Sequence, residues 1–402
     1  MDAEKTDRTL WFVAFICFID MCGLGLIIPV MPSLIGGLAH VSVDRAAEIG
    51  GLLLFAYAMM QFLFAPIIGG LSDRYGRRPV LLVTLAVLGI DYLIMALAPN
   101  LTWLFVGRII SGIMGATWAA ANSCVADKVA PEERGRAFGL LGASGAAGFV
   151  MGPAIGGVLG YWGDRAPFYA AAALALIGAL VGWRYLAETL PVERQRRFNL
   201  RRANPLGSLL QMRGIPLVIG ILAVIFLMQL AAQSQIAVWS YYTILKFKWT
   251  SLTVGLSMAL FGILIAIAQG VIAGRMIARF GEAKAAILCL STVVPAYLIF
   301  TFATAGWMMF AGMLVSFVAN ATFPAMQAMM TRVTPEDAQG ELQGAIASIV
   351  GMTSIIGPVL MTSVFGHFAD DRGMYFPGAP FLLSAAIMAL AVGTLLRVVR
   401  RV

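Results

Sequence analysis

The sequence predicts an all-α membrane protein with twelve transmembrane helices in two pseudo-symmetric six-helix bundles. Composition, a set of apolar stretches and an internal repeat carry that prediction. Of the 402 residues, 60% are hydrophobic and only 12% are charged, and mean hydropathy is +0.88. A soluble domain averages about 25% charged residues. A membrane helix needs ~20 apolar residues, and twelve stretches reach that length. They lie near 9–36, 47–70, 79–98, 101–126, 137–162, 166–187, 214–243, 253–275, 283–303, 306–330, 342–366 and 379–397. The first is too long for a removable signal, carries Asp20 in its middle and is followed by further spans.

The one long polar segment, 188–213, is rich in arginine and divides the spans six and six. This predicts bundles at 1–190 and 214–402, joined by a cytoplasmic linker at 191–213. The halves repeat at a constant offset of 205 residues. Gly69-Gly-Leu-Ser-Asp-Arg74-Tyr-Gly76 recurs as Gly274-Arg-Met-Ile-Ala-Arg279-Phe-Gly281, and Gly152-Pro153 recurs as Gly357-Pro358. Pro131-Glu-Glu-Arg-Gly135 resembles Pro335-Glu-Asp-Ala-Gln-Gly340 with one insertion. Ordered matches at one offset indicate a duplicated six-helix unit. Two-half transporters of this kind bind substrate near the midplane and rock around it. The second copy is degraded: Asp73 becomes Ala278, Arg77 becomes Glu282, and Gly156-Gly157 becomes Met361-Thr362.

With both termini cytoplasmic, 22 of the 28 Lys and Arg fall in cytoplasmic segments or at cytoplasmic helix ends. That is the positive-inside pattern, so the net charge of +8 orients the chain and does not point to nucleic acid. Cys17, Cys22, Cys124 and Cys289 all fall in predicted helices without metal-ligand spacing, and they read as buried free thiols. No metal site and no cofactor is expected.

Three charges lie deep inside spans, away from their ends: Asp20 in the first, Asp91 in the third and Arg108 in the fourth. An ionised side chain there costs ~2.5–3.5 kcal/mol and is by default a functional hypothesis. Each lies roughly 10–17 Å deep at 1.5 Å per residue. A carboxylate can load and release a proton, whereas arginine keeps its own. Asp20 and Asp91 are therefore candidate proton carriers, and Arg108 is the fixed charge that biases them. A structural Asp–Arg pair closing the bundle is the alternative. Uncharged polar groups at membrane depth are the candidate substrate contacts: Gln61, Asn122, Ser123, Gln229, Gln233, Asn320 and Gln327, with Trp239. Gln235 and Gln269 lie at similar depth. Each amide taken alone is more often an interhelical tie than a ligand contact.

Gly148-Phe-Val-Met-Gly152-Pro153-Ala-Ile-Gly156-Gly157 interrupts the fifth stretch. An interior Gly costs roughly 1 kcal/mol and a Pro about 3 in an ordinary helix, but membranes tolerate both, and they allow close backbone approach. The spacing resembles the helix-5 antiporter motif of the major facilitator superfamily. Gly69, Asp73, Arg74, Gly76 and Arg77 resemble that superfamily's loop signature, and Arg108-x-x-x-Gly112-x-x-Gly115 resembles its helix-4 motif. In such relatives the loop contacts latch the cytoplasmic side while the protein faces outward.

The likeness extends along the chain to the twelve-helix tetracycline/proton antiporters of bacteria. It runs through Asp20-Met-Cys-Gly-Leu-Gly-Leu-Ile-Ile-Pro29-Val-Met-Pro32, Tyr57-Ala-Met-Met-Gln61-Phe and Asp91-Tyr-Leu-Ile-Met-Ala96. It continues in Met228-Gln229-Leu, Pro324-Ala-Met-Gln327-Ala-Met and Gly340-Glu-Leu-Gln-Gly344. The resemblance implies the major facilitator fold and a multi-pass protein of the bacterial inner membrane. It implies export of an amphiphilic drug for an incoming proton, with coupling residues at Asp20, Asp91 and Arg108. In that family tetracycline leaves as a chelate with a divalent metal such as Mg²⁺. The chain departs from the family at Ile265 and Val293, where the exporters carry His and Asp. That departure leaves a non-tetracycline drug or an endogenous metabolite as the alternative substrate. The expected partners are the drug, protons and the lipid bilayer, and the expected working unit is a monomer. No membrane-embedded histidine or zinc-like cluster supports an intramembrane enzyme.

Overall fold

The structure, a computed structural model, describes residues 2–115, 117–130, 133–191, 193, 195, 215–370 and 373–400. Helices dominate, and no strand occurs among the described residues. Among the described residues, twelve helical spans are long and apolar enough to cross a membrane: α1 (Thr9–Ala39), α2 (Val43–Tyr75), α3 (Arg77–Leu97), α4 (Leu101–Lys128), α5 (Arg134–Trp162), α6 (Ala166–Tyr185), α7 (Pro216–Phe247), α8 (Ser251–Phe280), α9 (Glu282–Phe302), α10 (Trp307–Val333), α11 (Gln339–Ala369) and α12 (Ala379–Arg400). A helix meets its own backbone hydrogen-bonding needs, which hydrocarbon cannot do for it. Of the expected linker 191–213, all but Pro191, Glu193 and Gln195 lies outside the described residues, as does the Pro131-Glu132 pair of the repeat.

The helices run past their apolar windows. α2 begins before residue 47 and ends after residue 70, with Asp44 in its first turn and Arg74 in its last, charges that suit the two ends of the helix dipole. Several spans, α1, α8 and α10 among them, also lose regular α geometry in places that hydropathy does not mark. α1 passes through a 3₁₀ turn at Ile28–Val30, where Pro29 and Pro32 withhold backbone N–H donors. α8 contains a π-helical segment, Ala268–Ile272, and α10 a 3₁₀ segment, Phe317–Ala321.

The chain forms two compact units. The first gathers Met1–His40, Ala56–Asn204 and Thr250–Ala259, and the second gathers Val41–Phe55, Pro205–Trp249 and Leu260–Val402. The first stretch of α2 thus belongs to the second unit and the repeat-equivalent stretch of α8 to the first. In the second unit, Trp239, Tyr242, Tyr297, Phe300 and Phe381 make an edge-rich aromatic cluster with centroids 5.0–6.5 Å apart. The buried Tyr242 hydroxyl donates to the Phe300 carbonyl at 2.7 Å, so the one polar atom of that ring is satisfied.

In the first unit, α1 and α5 form the most extensive helix pair, and the glycines explain how. A Cβ at Gly152 would lie 2.6 Å from the Cys22 carbonyl oxygen and 2.9 Å from the Gly25 Cα. One at Gly148 would lie 3.0 Å from the Cys22 nitrogen, and one at Gly156 would lie 2.8 Å from the Leu26 Cα. Gly157 faces a different neighbour: its Cβ would lie 3.0 Å from the Leu252 Cα on α8. The neighbours are mainly backbone, which cannot swing aside. Overpacking of this kind costs about 1–3 kcal/mol. Gly152→Leu should therefore lower the thermal unfolding midpoint of the purified protein, while Gly142→Ala, whose Cβ meets nothing within 4 Å, should leave it nearly unchanged. Equal midpoints for the two variants would remove the close-packing argument.

Candidate functional site

The three membrane-embedded charges gather in the first unit. Asp20, Tyr57, Tyr92, Arg108, Ser111 and Gly115 share the wall of a small cavity, with about 10 Å³ open to the centre of a water-sized sphere, close to the room one water needs. Asp91 is fully buried, and the Ser111 hydroxyl donates to its Oδ2. Arg108 is 3% exposed. Its Nη2 points to the Met95 sulfur at 3.3 Å and its guanidinium lies 5.9 Å from the Tyr57 ring centroid. No ion pair within 4.0 Å joins Arg108 to either aspartate among the described residues. Asp91 Oδ1 and Arg108 Nε, both enclosed, have no hydrogen-bond partner there. Enclosed charges with unspent hydrogen-bonding capacity are high in energy and sensitive to small rearrangements. The geometry therefore differs from a closed structural Asp–Arg pair.

Glycine shapes this region as well. A Cβ at Gly107 would lie 2.8 Å from the Met95 sulfur and 3.0 Å from Asp91 Oδ1, and one at Gly112 would lie 2.7 Å from the Met60 Cβ. Gln61 is committed to structure, since its amide donates to the Gly115 carbonyl at 2.9 Å and to the Tyr57 hydroxyl at 3.3 Å. It ties α2 to α4.

A second polar cluster sits where α2 turns into α3. Gly76 makes the turn at φ +100°, a left-handed conformation that L side chains rarely adopt. Arg77, 7% exposed, donates to Asp73 at 2.5 Å, to Asp127 on α4 at 3.0 Å and to Ser72 at 3.3 Å. The Glu188 carboxylate beyond α6 accepts the backbone N–H groups of Arg77 and Arg78 at 2.9 and 3.2 Å, and those of Thr189 and Leu190 at 2.9 and 3.0 Å. An acid at the first turn of α3 suits both the free N–H donors and the dipole. A Cβ on Gly76 would lie 2.8 Å from the Glu188 carboxyl carbon, so Glu188 adds a second reason for glycine at that turn. Arg74 is exposed and lies over Tyr75 at 5.0 Å. A Cβ at Gly69 would meet nothing within 4 Å, so nothing in the structure explains glycine there.

Asp127 and Glu188 escaped the motif reading, though the repeat held a clue to the first. At the same 205-residue offset, Arg77 and Asp127 become Glu282 and Arg332. Those two also pair, at 3.7 Å and with Arg332 77% exposed. Gly281, equivalent to Gly76, likewise has positive φ, +75°. The second unit keeps the turn and the ion pair with their polarity reversed.

The second unit also holds a cavity of about 270 Å³, lined among others by Gln229, Gln235, Gln269, Asn320, Phe261 and Val293. Of the expected substrate contacts, Gln229 and Asn320 meet there. Gln233 is buried, and a Cβ on Gly357 would lie 2.7 Å from its own Cβ. Trp239 belongs to the aromatic cluster. Gln327 is part-buried and does not line this cavity. Asn122 is exposed on α4, and the Ser123 hydroxyl donates to the Ala119 carbonyl at 3.0 Å within the same helix. Ile265, on α8, is part-buried and does not line the cavity either.

Comparison with known proteins agrees with this architecture. The signature of the Major Facilitator Superfamily matches residues 13–250 and 221–402. The class C tetracycline resistance protein of Escherichia coli is 40% identical over 98% of this chain and 98% of its own length. The class G protein of Vibrio anguillarum is also 40% identical, over 87% of this chain and 88% of its own. Among solved structures, a bacterial homologue of the human lysosomal transporter Spinster, inward-facing and occupied, superimposes with a TM-score of 0.81 at 15% identity, covering 97% of this chain and 96% of that one. A human organic anion transporter superimposes at 0.70 with 24% identity, over 97% and 99% of the two chains. A chain with twelve apolar spans, a duplicated six-helix repeat and near-complete alignment to these proteins is a membrane transporter and no enzyme: it belongs to the major facilitator superfamily, alongside the tetracycline resistance proteins.

Proposed function

We propose that this chain exports a tetracycline or a similar amphiphilic drug across the bacterial inner membrane in exchange for protons, working as a monomer with both termini in the cytoplasm. The observation that carries the reading is the enclosure of Asp91, bonded by Ser111, beside a cavity shared by Asp20 and Arg108. A carboxylate held in a membrane helix without a full set of partners is by default a functional group, and gaining and losing a proton is the chemistry it can offer a transport cycle. The names of the relatives support the drug as cargo.

In this scheme Asp20 or Asp91 takes up a proton when the path opens outward. The proton leaves on the cytoplasmic side, drug enters, and the two bundles, 1–190 and 214–402, rock back to expel it. The Asp73–Arg77–Asp127–Glu188 cluster acts as a latch on the cytoplasmic side, making and breaking around the Gly76 turn. Gly148, Gly152, Pro153, Gly156 and Gly157 keep α5 against its neighbours, so that protons do not leak past the coupling residues. Val293, which lines the second unit's cavity without a charge, favours a second reading in which the exported compound is another drug or a metabolite.

Two measurements test the reading. In everted membrane vesicles acidified inside, the wild type should accumulate drug, and Asp20→Asn and Asp91→Asn should each lower that uptake roughly tenfold or more, since each removes a group able to carry the proton. Full uptake by both variants would reject the scheme. Asp73→Asn should fold and bind normally yet turn over roughly fivefold more slowly, matching the loss of about 1 kcal/mol from a half-exposed charge pair. An unchanged turnover number would dismiss the latch.

A further inference from the structure

We infer that the cavity of the second unit is a binding site for uncharged, planar amphiphiles edged with carbonyl, hydroxyl or amide groups, taken without a metal ion. The inference rests on the export reading for its purpose but not for its geometry.

Two departures from regular helix meet at this cavity. Gln269 projects from the π-helical segment of α8, Ala268–Ile272, and Asn320 from the 3₁₀ segment of α10, Phe317–Ala321. The two segments pack against one another. Backbone that abandons the α register at membrane depth is tolerated where it is enclosed by protein or lines a cavity, and single π turns concentrate at functional sites. Both irregularities bring an amide to the same wall.

The chemistry of that wall is specific. Gln229, Gln235, Gln269 and Asn320 each supply N–H donors and a carbonyl acceptor. The side-chain amides of Gln229, Gln235 and Gln269 hydrogen-bond no other described residue, and Asn320 uses only one N–H, donating to the Phe317 carbonyl at 3.2 Å. Among the described residues, no Asp, Glu, Lys, Arg or His lines the cavity. A formal charge drawn into such a site would lose its hydration without gaining a counter-charge, at a cost of several kcal/mol. A chelated Mg²⁺ would miss the carboxylates such ions take from proteins. Phe261, Phe300 and Phe323 supply flat apolar surface, and their faces suit a planar ring system. Its size, about 270 Å³, lies just below the ~300–1,000 Å³ typical of small-molecule pockets.

Equilibrium binding to the full chain in lipid nanodiscs, read by tryptophan quenching with no proton gradient, tests this. The probes are anthraquinone carboxamide, its anionic isostere anthraquinone sulfonate, and the planar cation ethidium, each with Mg²⁺ or with EDTA. The carboxamide should bind saturably and equally in both buffers, with both charged probes at least about tenfold weaker. Gln269→Leu and Asn320→Leu should each weaken the carboxamide up to about tenfold, the loss of one net hydrogen bond. Val293→Asp, which puts an acid on the wall, should turn the preference toward ethidium. Charged probes binding within roughly threefold of the carboxamide, a requirement for Mg²⁺, or undiminished affinity in both leucine variants would overturn the inference. The probe comparison needs no variant, so a variant that fails to fold leaves it decisive. Selective carboxamide binding without gradient-driven transport would reject the export reading and keep the site. Gradient-driven transport without that selectivity would do the reverse.

Discussion

Hydrocarbon offers no hydrogen bonds, and this constraint governs most of what the chain does. Every backbone polar group at membrane depth must find its partner within the protein, and among the described residues helices meet that demand. It also decides where irregular backbone is tolerated. The π turn of α8 and the 3₁₀ turn of α10 are placed against one another, and each contributes to the wall of a cavity. The same demand explains why Asp91 and Arg108 are fully enclosed. Without a strong hydrophobic force to hold helices together in lipid, packing does that work. Hence the glycines of α5 let its backbone reach that of α1.

Duplication supplied two equivalent units, and they have diverged in kind. The first holds the embedded charges and a tight, buried Arg77 cluster. The second holds amides and aromatic rings around its cavity. The equivalent loops carry ion pairs of opposite polarity: Glu282–Arg332 at 3.7 Å stands where Arg77–Asp127 stands at 3.0 Å, and both turns keep a positive-φ glycine. An ion pair depends on opposite signs and not on which helix carries which. The site therefore tolerates exchange, whereas the hydrogen-bonded capping by Glu188 in the first unit has no such freedom.

The spans were legible because burial in lipid writes itself as unbroken apolar runs, whereas the exchange of Val41–Phe55 and Thr250–Ala259 between the units leaves no mark in the Gly-Pro and loop-signature repeat. Asp20, Asp91 and Arg108 stood out because charge is expensive in such runs. What the sequence left hidden depends on neighbours distant in the chain. Ser111 is an ordinary residue until α4 sets its hydroxyl against Asp91. Nothing in the sequence shows that the Gln61 amide donates a hydrogen bond to the Gly115 carbonyl, 54 residues away. Glu188 follows the last apolar residue of its span like any solvated acid, yet it collects four backbone N–H groups. The π segment is a matter of hydrogen-bond register, and no periodicity in Ala268-Gln-Gly-Val-Ile272 announces it.

The proposed division of labour between the units has a physical logic of its own. A site that both carries protons and binds a charged drug must release one to accept the other through direct competition for a single carboxylate. The carboxylates and the amide-lined cavity belong to different units, so in the proposed scheme proton and cargo are coupled through the conformational equilibrium that both bias. A ligand shifts such an equilibrium solely by its difference in affinity between the two states. An uncharged cargo bound by amides gains little from the electric field of the proton site, so its differential affinity must arise from shape. In the proposed scheme the π and 3₁₀ turns supply the means, since a change of hydrogen-bond register in either would move Gln269 or Asn320 relative to the rings without carrying a charge through the membrane.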